Sequence, residues 1–447
     1  MSPAARAEAR SEVATDLLRP YFEQLQAFPA VRWEGRVTQV LGQVVESEGP
    51  VCAVGECCWL IDGNGRAQAG QIVGFRDATV LSVPLEGSAG VRRGDRVLAW
   101  GAKPSVRVGE SWLGRVVDAS GEPLDGMGSC GGTDFRQLDS APPLPLQRTA
   151  IHTAIGCGIR AVDGLLTCGR GQRLGIFGGS GVGKSTLIGM MARGTAADMT
   201  VVALVGERGR EVREFLEDAL GEEGRRKSVV VVSTSDQSPL LKVRAVLTAT
   251  AAAEYFAAHG REVLLVVDSL TRLAMAQREI GLAAGEPPTA KGYTPSVFSL
   301  LARVVERAGQ FERGSITAFY TVLMEGDDLQ DPLVDGARAL LDGHIVLDRR
   351  LGARGHYPPI SIVESLSRLM PAVTAPAHRK KARELRELLA AYAAAEDLIR
   401  LGAYLPGSDA VLDRAVRVMS RLTEFLRQDK NDSAGLGETV ARLLGLE

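Results

Sequence analysis

The sequence has no surplus of basic residues. Lys and Arg total 52 against 54 Asp and Glu, a net charge of −2 over 447 residues. A dedicated duplex-DNA binder carries a clear basic excess, so that class is disfavoured. No apolar run approaches the ~18–20 residues that span a bilayer. One uncharged stretch of note, Ala245–Ala253, is short and rich in Ala and Thr. The first ten residues carry an acid, Glu8, and no apolar centre, which predicts no secretory signal. Six cysteines occur (Cys52, Cys57, Cys58, Cys130, Cys157 and Cys168), and none of their spacings fits a zinc site. They read as free thiols in a reducing compartment. Internal repeats and low-complexity tracts are also lacking. What is there is 45% hydrophobic and 24% charged, enough for a large buried core in a globular protein. At about 100–200 residues per domain, the length predicts two to four domains.

The pattern changes four times along the chain. In residues 1–30, Leu17, Leu18, Tyr21, Leu25 and Phe28 recur near helical spacing, with Pro20 as a kink. This amphipathic segment reads as a docking helix for a partner or a membrane surface. Residues 31–102 carry short β-like runs such as Gly35–Val40, Gln71–Phe75, Ala78–Val83 and Asp95–Trp100, which predict a small barrel or sandwich. Residues 103–148 hold one strand, a sharp turn and a Gly/Pro-rich connector. In residues 149–374 strands and helices alternate, and the strands are Val- and Leu-rich on both faces. That is the signature of a parallel sheet covered on both sides, an α/β fold. Residues 375–447 are helical, with apolar stripes at Leu385–Ile399 and Leu412–Leu426 broken by Pro406-Gly407.

Chemistry concentrates in the α/β region. Gly178-Gly179-Ser180-Gly181-Val182-Gly183-Lys184-Ser185 satisfies G-x-x-x-x-G-K-[ST] between a predicted strand and a predicted helix. Such a loop turns its backbone N–H groups onto an anion, and the helix adds its positive end. Lys184 is placed to reach β- and γ-phosphates, and Ser185 to hold magnesium. Val263–Asp268 is an apolar strand ending in an acid, and Asp268 is a second magnesium-side group. The strand Val201–Val205 ends in Gly206-Glu207-Arg208, at the sheet edge where α/β proteins bind ligands. Glu207 is assigned as the base or water-orienting group and Arg208 as a phosphate-side cation.

With these motifs in place, the sequence resembles the flagellar and type III secretion export ATPases, relatives of the catalytic β subunit of rotary ATP synthases. The resemblance runs from about Val31 to Gln428. It rests on Leu113–Asp118, Gly169–Gly175, Gly178–Thr186, Gly206–Val212, Asp268–Arg272, Gly285–Pro288, Gly292–Phe298, Asp342–Leu347 and Ser365–Arg368. It implies a RecA-like P-loop NTPase core with an N-terminal β-barrel and a C-terminal helical domain. It also implies a homohexamer that hydrolyses ATP with Mg2+ at subunit interfaces. By this resemblance Glu207 is the catalytic glutamate, Arg368 an arginine finger for the neighbouring site, and Tyr357 the aromatic on adenine. Thr186 completes the nucleotide loop. One departure concerns the other face of the base. Phe425-Leu426-Arg427-Gln428 is followed by Asp-Lys-Asn-Asp rather than by an aromatic, which leaves the second stacking partner unassigned and implies looser base selectivity.

The implied role is a protein-export motor in the cytoplasm, peripheral at the inner membrane. Its implied partners are a regulator on the N-terminal helix, a central coiled-coil stalk, substrate chaperones and an export gate. A rotary synthase subunit is the alternative, and Gly285–Pro288 and Gly292–Phe298 favour the export branch. An RNA translocase is the third reading. The balanced charge and the lack of an aromatic-plus-basic platform in residues 31–100 count against it, so no nucleic acid is expected. A nucleotide-binding subunit without turnover is the fourth, and Glu207 argues against it.

Overall fold

The computed structural model describes residues 33–446, apart from 325 and 327–330. The predicted docking helix of residues 1–30 lies outside them. Contacts divide the chain into two compact units, one running up to Pro104 and including Leu282–Glu286, the other Ser105–Gly281 with Pro287–Glu447.

The first unit is a closed six-stranded barrel: β1 (Trp33–Leu41), β2 (Val44–Glu48), β3 (Cys57–Ile61), β4 (Ala67–Arg76), β5 (Thr79–Pro84) and β6 (Arg96–Ala99). Its strands pair antiparallel in the order β1-β2-β5-β4-β3-β6, and β6 closes on β1. Closure removes the free edges that would otherwise invite another strand. Val37, Val45, Leu60, Ile72, Val80 and Val97 fill the interior at alternate positions.

The second unit opens with β7 (Ser105–Val108), β8 (Val116–Asp118) and β9 (Asp134–Gln137). β7 and β9 pair with each other, whereas β8 joins the large sheet. The stretch read from sequence as a connector thus supplies an edge strand of the core. The Arg115 guanidinium holds it there, with a two-point contact to Asp125 (2.8 Å each) and a bond to the Gly128 carbonyl (2.6 Å). That guanidinium keeps the Asp125 carboxyl well below the usual carboxylate range.

After a small pair, β10 (Ala154–Ile155) and β11 (Cys168–Gly169), come the core strands. These are β12 (Arg173–Gly178), β13 (Met199–Glu207), β14 (Ser228–Thr234), β15 (Glu262–Asp268), β16 (Gly309–Gln310), β17 (Ser315–Leu323), β18 (Gly343–Leu347) and β19 (Ile360–Ser367). The nine-stranded sheet runs β19-β18-β12-β17-β15-β13-β14-β8, with β16 paired to β17. From β18 to β8 the strands are parallel, while β19 is antiparallel to β18 and β16 to β17. The predicted parallel sheet therefore carries an antiparallel edge. Helices such as Lys184–Gly194 and Pro239–Ala258 cover its faces. The segment after β13 begins as an α-helix, Gly209–Glu214, and continues as a π-helical turn, Phe215–Leu220.

Three helices close the chain: Pro376–Arg400, Ala410–Leu426 and Leu436–Leu444. The last lies beyond the two apolar stripes read from sequence. Their buried residues, including Leu385, Leu388, Leu422 and Leu443, join one apolar cluster with Ile176, Leu187 and Ile188 of the α/β core. Among the described residues, no helix is long and apolar enough to cross a membrane.

Candidate active site

The parallel strands bring the ends of β12, β17, β15 and β13 to one edge of the sheet, the edge where an α/β fold opens a ligand crevice. β12 runs into Gly178, and the loop to Lys184 turns through Gly181 (φ +75°) and Gly183 (φ +95°). Gly183 directly precedes the helix Lys184–Gly194, so the loop delivers its backbone to the helix's positive end. Only glycine adopts such angles without steric cost. Val182 is buried and anchors the loop, while Ser180, Ser185 and Thr186 are exposed.

Lys184 is buried and donates to the carbonyls of Gly178 (2.9 Å) and Gly179. Burial lowers its pKa to about 8, and Asp268 and Glu207 are the carboxylates whose charge resists that fall. Asp268 ends β15 and is buried. Burial pushes its pKa up, and the Thr321 hydroxyl donating to it at 2.6 Å pulls the other way. Glu207 ends β13 on the neighbouring strand, where Leu204 pairs with Asp268. Burial raises its pKa to about 7, helped by Glu211 and the charge of Asp268 and opposed by Arg272. A carboxylate at that value is poised to accept a proton near neutrality.

Arg208 and Arg272 lie differently with respect to Glu207. The Arg208 side chain is 76% exposed and turned to Glu211 at 3.7 Å. Arg272 instead faces Glu207, 3.1 Å from its carboxylate, and also donates to the Gly206 carbonyl. The reason is local. Arg208 lies just past the strand at the first turn of the helix Gly209–Glu214, whereas Arg272 lies in the first turn of Leu270–Ala283, directly after Asp268. A strand-end acid followed four residues later by Arg is the sequence signal for it. Gly206 accommodates this packing, because a Cβ there would lie 2.8 Å from Arg272 Cδ.

A cleft of about 300 Å3 adjoins the loop. Gly183, Thr186, Leu187 and Met190 form its floor, Tyr357, Pro358 and Pro359 one wall, and Gln428, Asp429 and Lys430 the other. Tyr357 is 54% exposed. Phe425 of the Phe-Leu-Arg-Gln segment is buried against Gly164 and is not in the cleft. Gln428, to which the sequence assigned no task, links the two walls: its N–H donates to the Tyr357 carbonyl at 2.9 Å.

Arg368 is not part of this grouping. Its N–H donates to the Asp342 carbonyl, and Asp342 N–H donates to the Arg173 carbonyl. It therefore stands level with the start of β12, roughly 16 Å of strand from Gly178 at about 3.3 Å per residue. Its side chain is exposed, with no ion pair among the described residues.

For a divalent cation, Ser185 and Asp268 offer a hydroxyl and a carboxylate, both hard oxygen donors. Among the described residues no cluster of three or more His, Cys, Asp or Glu forms a cation cage. Few protein ligands with oxygen chemistry fit magnesium, which keeps several waters and shares substrate phosphates.

Residues 158–367 match the ATP synthase alpha/beta family nucleotide-binding domain, and 37–101 its beta-barrel domain. Residues 374–445 match the T3SS EscN ATPase C-terminal domain. The flagellum-specific ATP synthase of Bacillus subtilis is 49% identical over 414 residues, 92% of this chain and 94% of that protein. The type 3 secretion system ATPase of Sinorhizobium fredii is 49% identical over 407 residues, covering 91% and 90%. Among solved structures, the assembled ATPase EscN from the enteropathogenic E. coli type III secretion system superposes with a TM-score of 0.88 at 41% identity, over 92% of this chain and 99% of that one. EscN in complex with its central stalk EscO gives 0.84 at 40% identity over the same shares. From phosphate loop to C-terminal helices, the chain belongs to the flagellar and type III secretion ATPase branch of the ATP synthase alpha/beta family.

Proposed function

We propose that this chain hydrolyses ATP in clefts shared by neighbouring copies of a homohexameric ring, and that the cycle drives flagellar or type III protein export. The observation that carries the shared cleft is the position of Arg368. It lies at the far end of the sheet from its own phosphate loop, beyond reach of its own Lys184, and is exposed. A guanidinium supplied by an adjacent copy stabilises the charge that develops on the transferred phosphoryl group.

Within one copy, the N–H groups from Gly178 to Ser185 and Thr186 cradle the phosphates, and Lys184 binds their β- and γ-oxygens. Glu207 takes the proton from the attacking water as its oxygen bonds to the γ-phosphorus. The bond to the bridging oxygen breaks, and ADP and phosphate leave. Arg272 is the positioning residue that holds the Glu207 carboxylate. Arg208, turned outward, keeps no phosphate contact of its own in this reading. A magnesium ion held by Ser185 and Asp268 would neutralise phosphate charge when bound. Tyr357 stacks on the base.

The C-terminal match favours export over a rotary synthase. The EscN–EscO pair supports a central-stalk partner, and a contact through the C-terminal helices is part of the proposal. A regulator on residues 1–30, chaperones, an export gate and a cytoplasmic place at the inner membrane belong to the same reading. So do the boundaries at 31, 103, 149 and 375.

Mixing inactive Arg368→Ala and Glu207→Gln chains tests the shared cleft. Some mixed interfaces then pair an intact base with an intact guanidinium, and partial ATPase activity returns. No recovery in a verified mixed assembly, with both chains folded, would overturn the trans arrangement.

A further inference from the structure

Gln428 is buried, and its amide is almost wholly spent on the protein itself. Nε2 donates to the Gly158 carbonyl at 2.7 Å and to the Asp432 carbonyl at 3.1 Å. Oε1 accepts from the Arg160 N–H at 2.9 Å. Arg160 in turn donates through its side chain to the carbonyls of Phe425 and Arg427, on either side of the same turn. The segment from Phe425 to Asp432 is thus fastened to the Gly158–Arg160 turn of the α/β core. From this fixed point the Gln428 N–H reaches across to the Tyr357 carbonyl. One residue ties together both walls of the cleft and the core beneath them.

Both amide hydrogens are committed, so Gln428 has no donor left to read the edge of a base. Its place lining the cleft is therefore better explained by geometry than by direct recognition. We propose that Gln428 is a positioning residue for the base end of the nucleotide: it sets the spacing between Tyr357 and the Asp429–Lys430 wall without discriminating among bases. This inference rests on the cleft being the nucleotide's base site.

The experiment measures binding of ATP, GTP and inorganic tripolyphosphate to the full chain with Mg2+, for the unaltered protein and for Gln428→Ala, Gln428→Glu and Tyr357→Ala. Gln428→Ala leaves the Arg160 N–H and the Gly158 carbonyl unpaired inside the protein, which costs binding geometry or folding. Gln428→Glu keeps the acceptor and loses both donors, and it provides the reading should the alanine variant fail to fold. The expected result is a loss of about tenfold or more in affinity for ATP and GTP, by the same factor, with tripolyphosphate unchanged, since tripolyphosphate has no base to position.

An affinity for ATP within twofold of the unaltered protein would overturn the proposal. Equal losses for ATP and tripolyphosphate would also overturn it, because they would mean general damage to the fold. Unequal losses for ATP and GTP would replace positioning by direct base recognition. Failure of the underlying reading looks different. The unaltered protein would then bind ATP no better than tripolyphosphate, and Tyr357→Ala would have no effect.

Discussion

Glu207 and Lys184 are brought close to neutrality for one physical reason. Lys184 is buried and Glu207 partly buried at the sheet edge, and burial disfavours each charged form, raising the acid to about 7 and lowering the amine to about 8. Catalysis requires the base deprotonated and the lysine charged. The pH profile of kcat/KM, which reports free-enzyme groups, should fall on the acid side as Glu207 gains a proton and on the alkaline side as Lys184 loses one. For stability the sign of Glu207 is the opposite of a salt-bridged acid. Its folded pKa lies above the unfolded value, so its contribution is complete below about pH 4.5 and is lost as pH rises through about 7. Glu207→Gln should keep nucleotide binding and lose turnover by roughly 10²–10⁴-fold in a steady-state assay. Lys184→Ala should abolish detectable ATP binding by calorimetry. The loop, Glu207 and Asp268 were legible because each stands at a strand end with a fixed spacing. Arg272 and Gln428 were not assigned, because their roles depend on where a neighbouring side chain or carbonyl ends up. Arg208 was assigned by its sequence adjacency to Glu207, but the chain turns between the two side chains.

Among the elements, the turn from β13 into the helix Gly209–Glu214 is the most exacting. Gly206 takes a left-handed angle (φ +69°), and Arg272 packs where a side chain would begin. Gly206→Ala should lower unfolding free energy by about 1–2 kcal/mol in denaturant titration, the cost of an L-residue in that conformation. It should also push Arg272 away from Glu207. Without that cation the Glu207 pKa rises further, and the acid limb of the pH profile should move to higher pH. The alternation of strands and helices was readable because both periods are strong over 149–374. β19 was missed because Ser361, Glu364, Ser365 and Ser367 break the apolar run that marked the other strands. β8 was read as a strand, but its place in the sheet follows from partners more than a hundred residues away, Val230–Val232.

For the whole molecule, the proposed trans role of Arg368, separated from its own phosphate loop, would leave solitary copies incomplete. Specific ATPase activity should therefore rise with protein concentration until assembly is complete, and sedimentation should show the larger species appearing over the same range. A specific activity that is flat across dissociated and assembled samples would contradict the shared cleft. The barrel, the α/β core and the C-terminal helices each left a distinct period in the sequence. The need for a neighbour did not, because no spacing within one chain records which end of a sheet faces another copy.

The same separation bears on the symmetry of association. In a head-to-tail ring, the proposed arrangement, Arg368 of each copy would serve the loop of the next, and such contact must close on itself or propagate as a filament. A closed assembly built this way has a handed circuit: each member completes the site of one neighbour and depends on the other, so a signal from one turnover has a direction built into it.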